Sequence, residues 1–292
     1  MSKNFNSPNF IEPLNIFNVI GTAMGLYRCH LKKYFLIALK ACVWLLVPIY
    51  GWVKFYALLA LISRLSFGEL VNQPESVSSG ERFVNSRLWD FFVNMIFMVA
   101  IGLCVGVVFK LIGGLLIGIS EILISQDVTV TNRIIYRLIA IVSVIISCMG
   151  ILWIGIRFYL VDVCLAVEDD VNGSSTINRS WELSKGNVGR IVLIFLIGFL
   201  ITVPIQFIIK IIINIIITII SIIGLIIMPF LRENDLIFSK IFSMISFLLI
   251  LGIRFVGVAF ILPFLQTVKA VVYYGVRSRH EGLGLQLRNH DV

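Results

Sequence analysis

Charge is scarce in this chain. Asp, Glu, Lys and Arg make up 14% of its 292 residues, whereas 59% are hydrophobic. A water-soluble domain carries about a quarter of its residues charged, interleaved with apolar ones. The shortage excludes that class, and a mean hydropathy of +1.01 puts a polytopic membrane protein in its place. Acidic residues are the scarcer sign, 16 against 24 basic, for a formal net charge of +8. Histidine is represented only by His30, His280 and His290, none at metal-ligand spacing from another His or Cys. The five cysteines (Cys29, Cys42, Cys104, Cys148 and Cys164) form no C-x-x-C pair. Most lie in apolar runs, where small buried residues are expected rather than a disulfide or metal site. No G-x-S-x-G, Walker-type loop or G-x-G-x-x-G occurs, so nucleophilic, phosphoryl-transfer and hydride chemistry find no anchor. The first 33 residues lack the basic start, apolar centre and small-residue cleavage site of a secretory signal.

Apolar sequence in long runs is what the chain has. A helix needs about 20 apolar residues to cross a hydrocarbon core of about 30 Å, and only a helix keeps its backbone satisfied there. Six such spans can be drawn: 33–49, 51–68, 90–112, 134–162, 188–209 and 241–266, with Pro48 and Gly51 marking the first turn. The expected fold is all-α: a polytopic bundle of about six transmembrane helices in hairpins, preceded by short amphipathic interfacial helices. It forms a single domain over 1–292. Residues 1–33 are an amphipathic N-terminal segment, 34–266 the bundle and 267–292 a basic cytoplasmic tail. Two stretches exceed the simple count. Residues 188–231 as one helix would be about 65 Å long; Pro204 is expected to kink it and Lys210 to mark the far interface. That leaves 211–231 as a re-entrant, interfacial or second crossing segment. Residues 113–131 pose the same problem, with Gly113 and Gly114 as breaks and Glu121 and Asp127 as polar points.

The cations fall beside the spans. Lys3, Arg28, Lys32, Lys33, Arg82, Arg87, Arg179 and Lys185 share segments that six crossings place on one side. The positive-inside rule makes that side the cytoplasm and predicts both termini there. Anionic lipid, rather than nucleic acid, is the partner such cations suit.

Polar stretches precede the spans. Leu14, Phe17, Ile20, Met24, Tyr27 and Leu31 recur at helical spacing after Pro13, with Asn15, Asn18, Thr22, Arg28 and Lys32 on the other face. This is an amphipathic helix leading into the first span. Ser78 and Glu81 have capping-box spacing before Phe83, Val84, Leu88 and Phe91. Ile177, Trp181, Ser184 and Val188 form a third stripe, with Asn172 to Ser175 as the turn before it and Gly186 as the stop. A surface helix with Trp181 at headgroup depth fits this stretch; a polar loop is the alternative. Lys54-Phe55-Tyr56 recurs as Arg157-Phe158-Tyr159 and partly as Arg254-Phe255. A threefold unit follows: surface helix, span, return span.

Ser180-Trp181-Glu182-Leu183-Ser184-Lys185-Gly186-Asn187 resembles the S-W-x-L-x-K-G-N entrance of a bacterial membrane-protein superfamily. That group includes the membrane domain attached to some glycerophosphoryl diester phosphodiesterases and many stand-alone proteins. Val272 to Gly282 is similar to its closing YY-x-x-R-x-R-x-E-G pattern. The resemblance covers roughly 150–285. It implies a six-helix integral domain of a bacterial cytoplasmic (inner) membrane. It does not imply phosphodiesterase activity, which belongs to a separate soluble barrel of about 200–250 further residues.

Candidate sites are accordingly few. His280-Glu281 invites proton chemistry, but adjacent residues on a helix do not face each other. Glu168-Asp169-Asp170 could gather a divalent cation or form a solvated turn. Arg157, Asp162 and Arg254 lie within or near spans, where desolvation is costly; they suggest an intramembrane polar network or an anion-binding cavity. Lys54 and Lys110 lie near span ends. Arg28, Lys32, Lys33, Trp181, Lys185, Arg190, Arg277 and Arg279 are the candidate contacts for anionic lipid or a protein partner, including a second copy. No catalytic residue, cofactor or metal is expected. The expected function is a non-enzymatic membrane protein organising or assisting at the cytoplasmic leaflet. A transporter or permease is the alternative; a membrane-embedded lipid enzyme lacks its catalytic set.

Overall fold

A computed structural model describes residues 16–125, 130–227 and 236–281. Among them the chain forms ten helices: α1 (Ile16–Cys29), α2 (Leu31–Trp44), α3 (Tyr50–Leu70), α4 (Val77–Ser86), α5 (Leu88–Ser125), α6 (Val130–Arg157), α7 (Val161–Val167), α8 (Ser175–Ser184), α9 (Val188–Ile227) and α10 (Leu236–Glu281).

The threefold unit is visible in the packing. An entrance helix (α1, α4, α8) is followed by an outgoing helix (α2, α5, α9) and a return helix (α3, α6, α10), and the last two pack together as a hairpin. Each return helix also packs on the next unit's entrance and outgoing helices: α3 on α4 and α5, α6 on α8 and α9, α10 on α1 and α2. The third unit thereby closes on the first, and the hairpins form a ring.

Of the six ring helices, four are long and apolar enough to cross a membrane, within Leu88–Leu115, Ala140–Val167, Val188–Gly224 and Lys240–Arg279. The expected six are reduced to four by the first hairpin. Helix α2 has 14 residues, about 21 Å at about 1.5 Å per residue, too short to cross. Helix α3 has 21 residues but carries Lys54, Arg64 and Glu69, and it buries most of its length in protein.

The overlong runs are single helices rather than broken ones. Helix α9 runs unbroken for 40 residues through Pro204 and Lys210. Its proline forfeits one backbone bond, while the side chains beside it stay hydrogen-bonded: Thr202 Oγ1 donates to the Phe199 carbonyl at 2.7 Å and accepts from Gln206 Nε2 at 2.9 Å. Helix α5 continues through Gly113 and Gly114 to Ser125. A glycine costs a helix about 1 kcal/mol, less than the several kcal/mol of each backbone group left unsatisfied in hydrocarbon. Asp127 lies outside the described residues, and of 211–231 only the part to Ile227 is described.

The packed core sits at one end of the ring. It gathers α1, α2, α3, α7, the start of α9 and the last turns of α10, with Tyr34, Leu61, Ile62, Leu165 and Tyr273 fully buried. Residues 267–281 are therefore not a tail: they continue α10, and Val268, Val271, Val272 and Val276 are core. By contrast, α5 and α6 and the distal halves of α9 and α10 display Leu103, Leu111, Ile146, Met149, Phe207 and Phe247. These are the surfaces that suit lipid.

The entrance helices form, with their faces turned from the expected ones. Helix α1 buries Val19, Ile20, Ala23, Leu26 and Tyr27, and Phe17 is 79% exposed; Leu14 and Pro13 lie outside the described residues. Helix α4 starts earlier than the capping-box spacing implies, because Ser76 Oγ accepts from the Ser79 N–H at 3.1 Å. Glu81 is then free to pair with Lys40 at 2.5 Å. Helix α8 buries Thr176, Ser180, Leu183 and Ser184 rather than Ile177 and Trp181. Its hydroxyls bond to backbone carbonyls, Thr176 to Asn172 at 2.6 Å and Ser180 to Arg157 at 2.8 Å. Small satisfied side chains let α8 approach the end of α6 closely. Gly186, at φ +81°, turns the chain into α9, a conformation that favours glycine.

Candidate functional site

The polar chemistry of the interior converges on α7, whose residues Val161 to Ala166 are all buried. At its first turn the Asp162 carboxylate, with a side chain 3% exposed, meets Lys269 Nζ of α10 at 2.8 Å. Gln266 Nε2 donates to the same oxygen at 3.2 Å, and Gln266 Oε1 accepts from Ser63 Oγ of α3 at 2.8 Å. Lys269 also lies 5.1 Å from the centre of the Tyr159 ring. A charge so deep requires a partner, and α10 supplies both Lys269 and Gln266, with Ser63 of α3 holding Gln266 in place.

The other end of α7 presents carbonyls without helical partners, and two guanidinium groups satisfy them. Arg64 donates to the Ala166 carbonyl at 2.7 Å. Arg87 donates to Leu165 at 3.0 Å, to Glu168 at 2.7 Å and to Val171. Glu75 and Asp90 hold these arginines at 2.7 and 3.8 Å, and the Phe83 ring lies under both. Cations at a helix C-terminus also meet the negative end of its dipole.

The two segments carrying the sequence resemblance meet just beyond. Glu168 accepts from Arg179 Nε at 3.1 Å and from Tyr273 Oη at 2.6 Å, and Arg277 donates to Tyr273 Oη at 3.0 Å. Glu168 is thus occupied by an arginine and a phenol, while Asp169 and Asp170 point to solvent. Among the described residues no three His, Cys, Asp or Glu side chains are grouped to hold a metal. The side chains of His280 and Glu281 lie outside the described residues.

The three charges grouped by sequence are separated in space. Asp162 belongs to Lys269. Arg157 instead lies beside the rings of Trp153 and Trp181, at 5.1 and 4.7 Å from their centres, and donates to the Trp181 carbonyl at 3.3 Å. Arg254 is exposed on α10. The repeat accounts for the difference. Lys54 reaches Asn85 at 2.7 Å on α4, the entrance helix of the next unit, and Arg157 reaches α8 in the same way. The third unit closes on α1 through other residues, Tyr27 Oη donating to the Phe260 carbonyl at 2.9 Å. Lys269, Gln266, Ser63, Arg64 and Arg87 were not singled out by sequence as site residues, because little that is local distinguishes them; Arg64 and Lys269 merely interrupt apolar runs.

The remaining cations form an outer rim. Arg28, Lys32, Lys185, Arg190 and Arg279 are exposed, and Lys33 and Arg277 partly so. Carboxylates of the interior are taken up by other groups: Glu69 by His30 at 3.2 Å, Glu75 by Arg64, Glu81 by Lys40, Asp162 by Lys269. Glu182, Asp169 and Asp170 are the exposed acids beside the rim. Among the described residues, grooves open on the apolar exterior. One, of about 400 Å³, runs between α6 and α9 along Leu152, Tyr159 and Phe195. Another, of about 520 Å³, follows α5 past Lys110, Gly114 and Gly118. Their walls suit hydrocarbon rather than a polar solute.

Compared with protein-family models, curated proteins and solved structures, the chain matches none of them.

Proposed function

We propose that this all-helical protein is a non-enzymatic component of a bacterial cytoplasmic membrane that binds anionic lipid, or a partner of like charge, through its cationic rim. One observation carries the reading. Interior carboxylates are each taken up by a cationic partner, whereas the side chains of Arg28, Lys32, Lys33, Lys185 and Arg190 have no hydrogen bond or ion pair among the described residues. Such cations beside apolar spans gain about 1 kcal/mol each near an anionic surface. Trp89, Trp153 and Trp181 are exposed where long helices meet the packed core, the position favoured by interfacial indoles. The rim therefore belongs at the inner leaflet, with both termini on the cytoplasmic side. Membership of the superfamily that the S-W-x-L-x-K-G-N entrance resembles is part of this proposal and rests on those residues. Transport is the second reading; the grooves along α5 and between α6 and α9 have apolar walls that suit a lipid-like rather than a polar solute.

The test is lipid dependence. In mild detergent, adding phosphatidylglycerol is expected to raise the thermal midpoint of the purified protein more than phosphatidylethanolamine does. The variant Lys32→Gln/Lys33→Gln/Lys185→Gln/Arg190→Gln should lose that preference. Equal responses of wild type and variant would refute the proposal.

A further inference from the structure

We propose that Arg157, beside Trp153 and Trp181, seats one anionic phospholipid, with the headgroup phosphate on the guanidinium and an acyl chain along α6. This deepens the function proposed above and rests on it. The rim describes a diffuse field; this is a discrete site.

A guanidinium stays charged at every relevant pH, and Arg157 is the last residue of a helix long and apolar enough to cross a membrane. The nearby carboxylates are committed elsewhere: Asp162 to Lys269 and Glu168 to Arg179. Glu182 adjoins Trp181 but makes no ion pair with Arg157. The one hydrogen bond of the guanidinium goes to the Trp181 carbonyl, and its Nε is buried with no acceptor. The indoles supply an attractive face but no counter-charge. A phosphate oxygen supplies the counter-charge and an acceptor for the terminal nitrogens, which are not buried as Nε is.

The surroundings select the ligand. Trp153 and Trp181 are 46% and 38% exposed, as residues at headgroup depth are. Stepping along α6 from Arg157, Trp153, Met149, Ile146 and Val142 share one exposed face, Met149 at 67% and Ile146 at 62%. That stripe gives an acyl chain a path continuous with the phosphate and distinguishes a lipid from a free anion. Lys185 closes α8 and Arg190 lies in the first turn of α9; both are exposed. They favour a headgroup of net negative charge over one that presents its own ammonium.

Native mass spectrometry of the full chain in mild detergent tests this. With phosphatidylglycerol added, wild type should retain one tightly held lipid in preference to phosphatidylethanolamine. Arg157→Gln should lower its occupancy about tenfold, the scale of one lost charge-assisted contact, and Arg157→Lys should lower it less. Millimolar inorganic phosphate should not displace it; displacement would overturn the lipid assignment. Full retention by Arg157→Gln, with lipid preference lost in Lys32→Gln/Lys33→Gln, overturns this site and leaves the rim reading standing. Retention in both overturns both. Should Arg157→Gln not fold, photoactivatable phosphatidylglycerol on wild type decides: label on 142–190 supports the site, and label confined to other segments overturns it.

Discussion

Asp162 and Lys269 show how much a single pair of residues holds here. The carboxylate is nearly inaccessible and its lysine is 20% exposed, so removing one partner strands the other. Breaking a buried pair this way costs about 3–5 kcal/mol. Lys269→Met is therefore expected to lower the unfolding midpoint in detergent sharply. Asp162→Asn should cost less, because an amide oxygen still accepts from Lys269 and Gln266. The double variant Asp162→Leu/Lys269→Met should recover most of the loss, since two apolar side chains leave no orphaned charge. Additive losses in the double variant would show that the two residues act separately. Sequence made Asp162 conspicuous as an acid at the end of an apolar run, but its partner lies 107 positions away, on the return helix of the next unit. Arg157, only five positions away, was the nearer candidate on sequence grounds. A helix end and a change of direction at residues 158–160 separate the two. Proximity along the chain misled because pairing follows the ring closure, which no local pattern records.

At the scale of elements, the turns at Pro48–Gly51 and Gly186 were more legible than the faces, whereas Gly113, Gly114 and Pro204 interrupt nothing. Pro48 and Gly51 marked the turn between α2 and α3, and the structure shows why the glycine is needed: a Cβ there would lie 1.9 Å from the Trp44 carbonyl oxygen. Gly186 differs, since its Cβ would meet nothing within 4 Å and only its φ of +81° resists substitution. Gly102, within α5, has neither constraint. Alanine substitutions should follow that order. Gly51→Ala should destabilise most, because backbone must move. Gly186→Ala should cost about 1 kcal/mol, and Gly102→Ala should be neutral or slightly stabilising through helix propensity. Thermal midpoints in one detergent check the order, and a Gly102→Ala loss equal to that of Gly51→Ala would show that α5 is packed against a surface beyond this chain. Faces were harder to read because hydrophobicity does not separate protein from lipid as neighbour. On α8 the buried side is Thr176, Ser180 and Ser184, chosen for small size and satisfied hydroxyls, and Trp181 is half out. On α1 the same confusion exposes Phe17 and buries Ala23.

The whole molecule repeats one helical arrangement three times, and that repetition is legible in Lys54-Phe55-Tyr56 and Arg157-Phe158-Tyr159. The unequal reach of the hairpins is not. Residues 33–68 are as apolar as a span, yet α2 and α3 are short and spend their surface on the core, whereas α5, α9 and α10 run to 38, 40 and 46 residues. Composition alone therefore counted six crossings where length and charge together support four. Both numbers are even, so parity cannot separate them, but position can. In the ring, Glu69, Arg87, Glu168 and Tyr273 lie at the core end, joined through His30, α7 and Arg277, and Lys33 and Lys185 lie in the segments that adjoin it. Lys240, exposed one turn into α10, lies near the opposite end of a helix that returns to the core. With the native cysteines replaced by serine, Lys33→Cys and Lys185→Cys should react with a membrane-impermeant maleimide only after the inner face is opened. Lys240→Cys should react in intact cells. The first hairpin then decides between four and six: Tyr50, exposed at the tip between α2 and α3, should resist the reagent from outside as Tyr50→Cys if the hairpin stops within the bilayer or short of it. Labelling of that site from outside, alongside Lys240→Cys, would restore the two missing crossings and require α2 to extend through the turn at 45–49 that the structure places at its end.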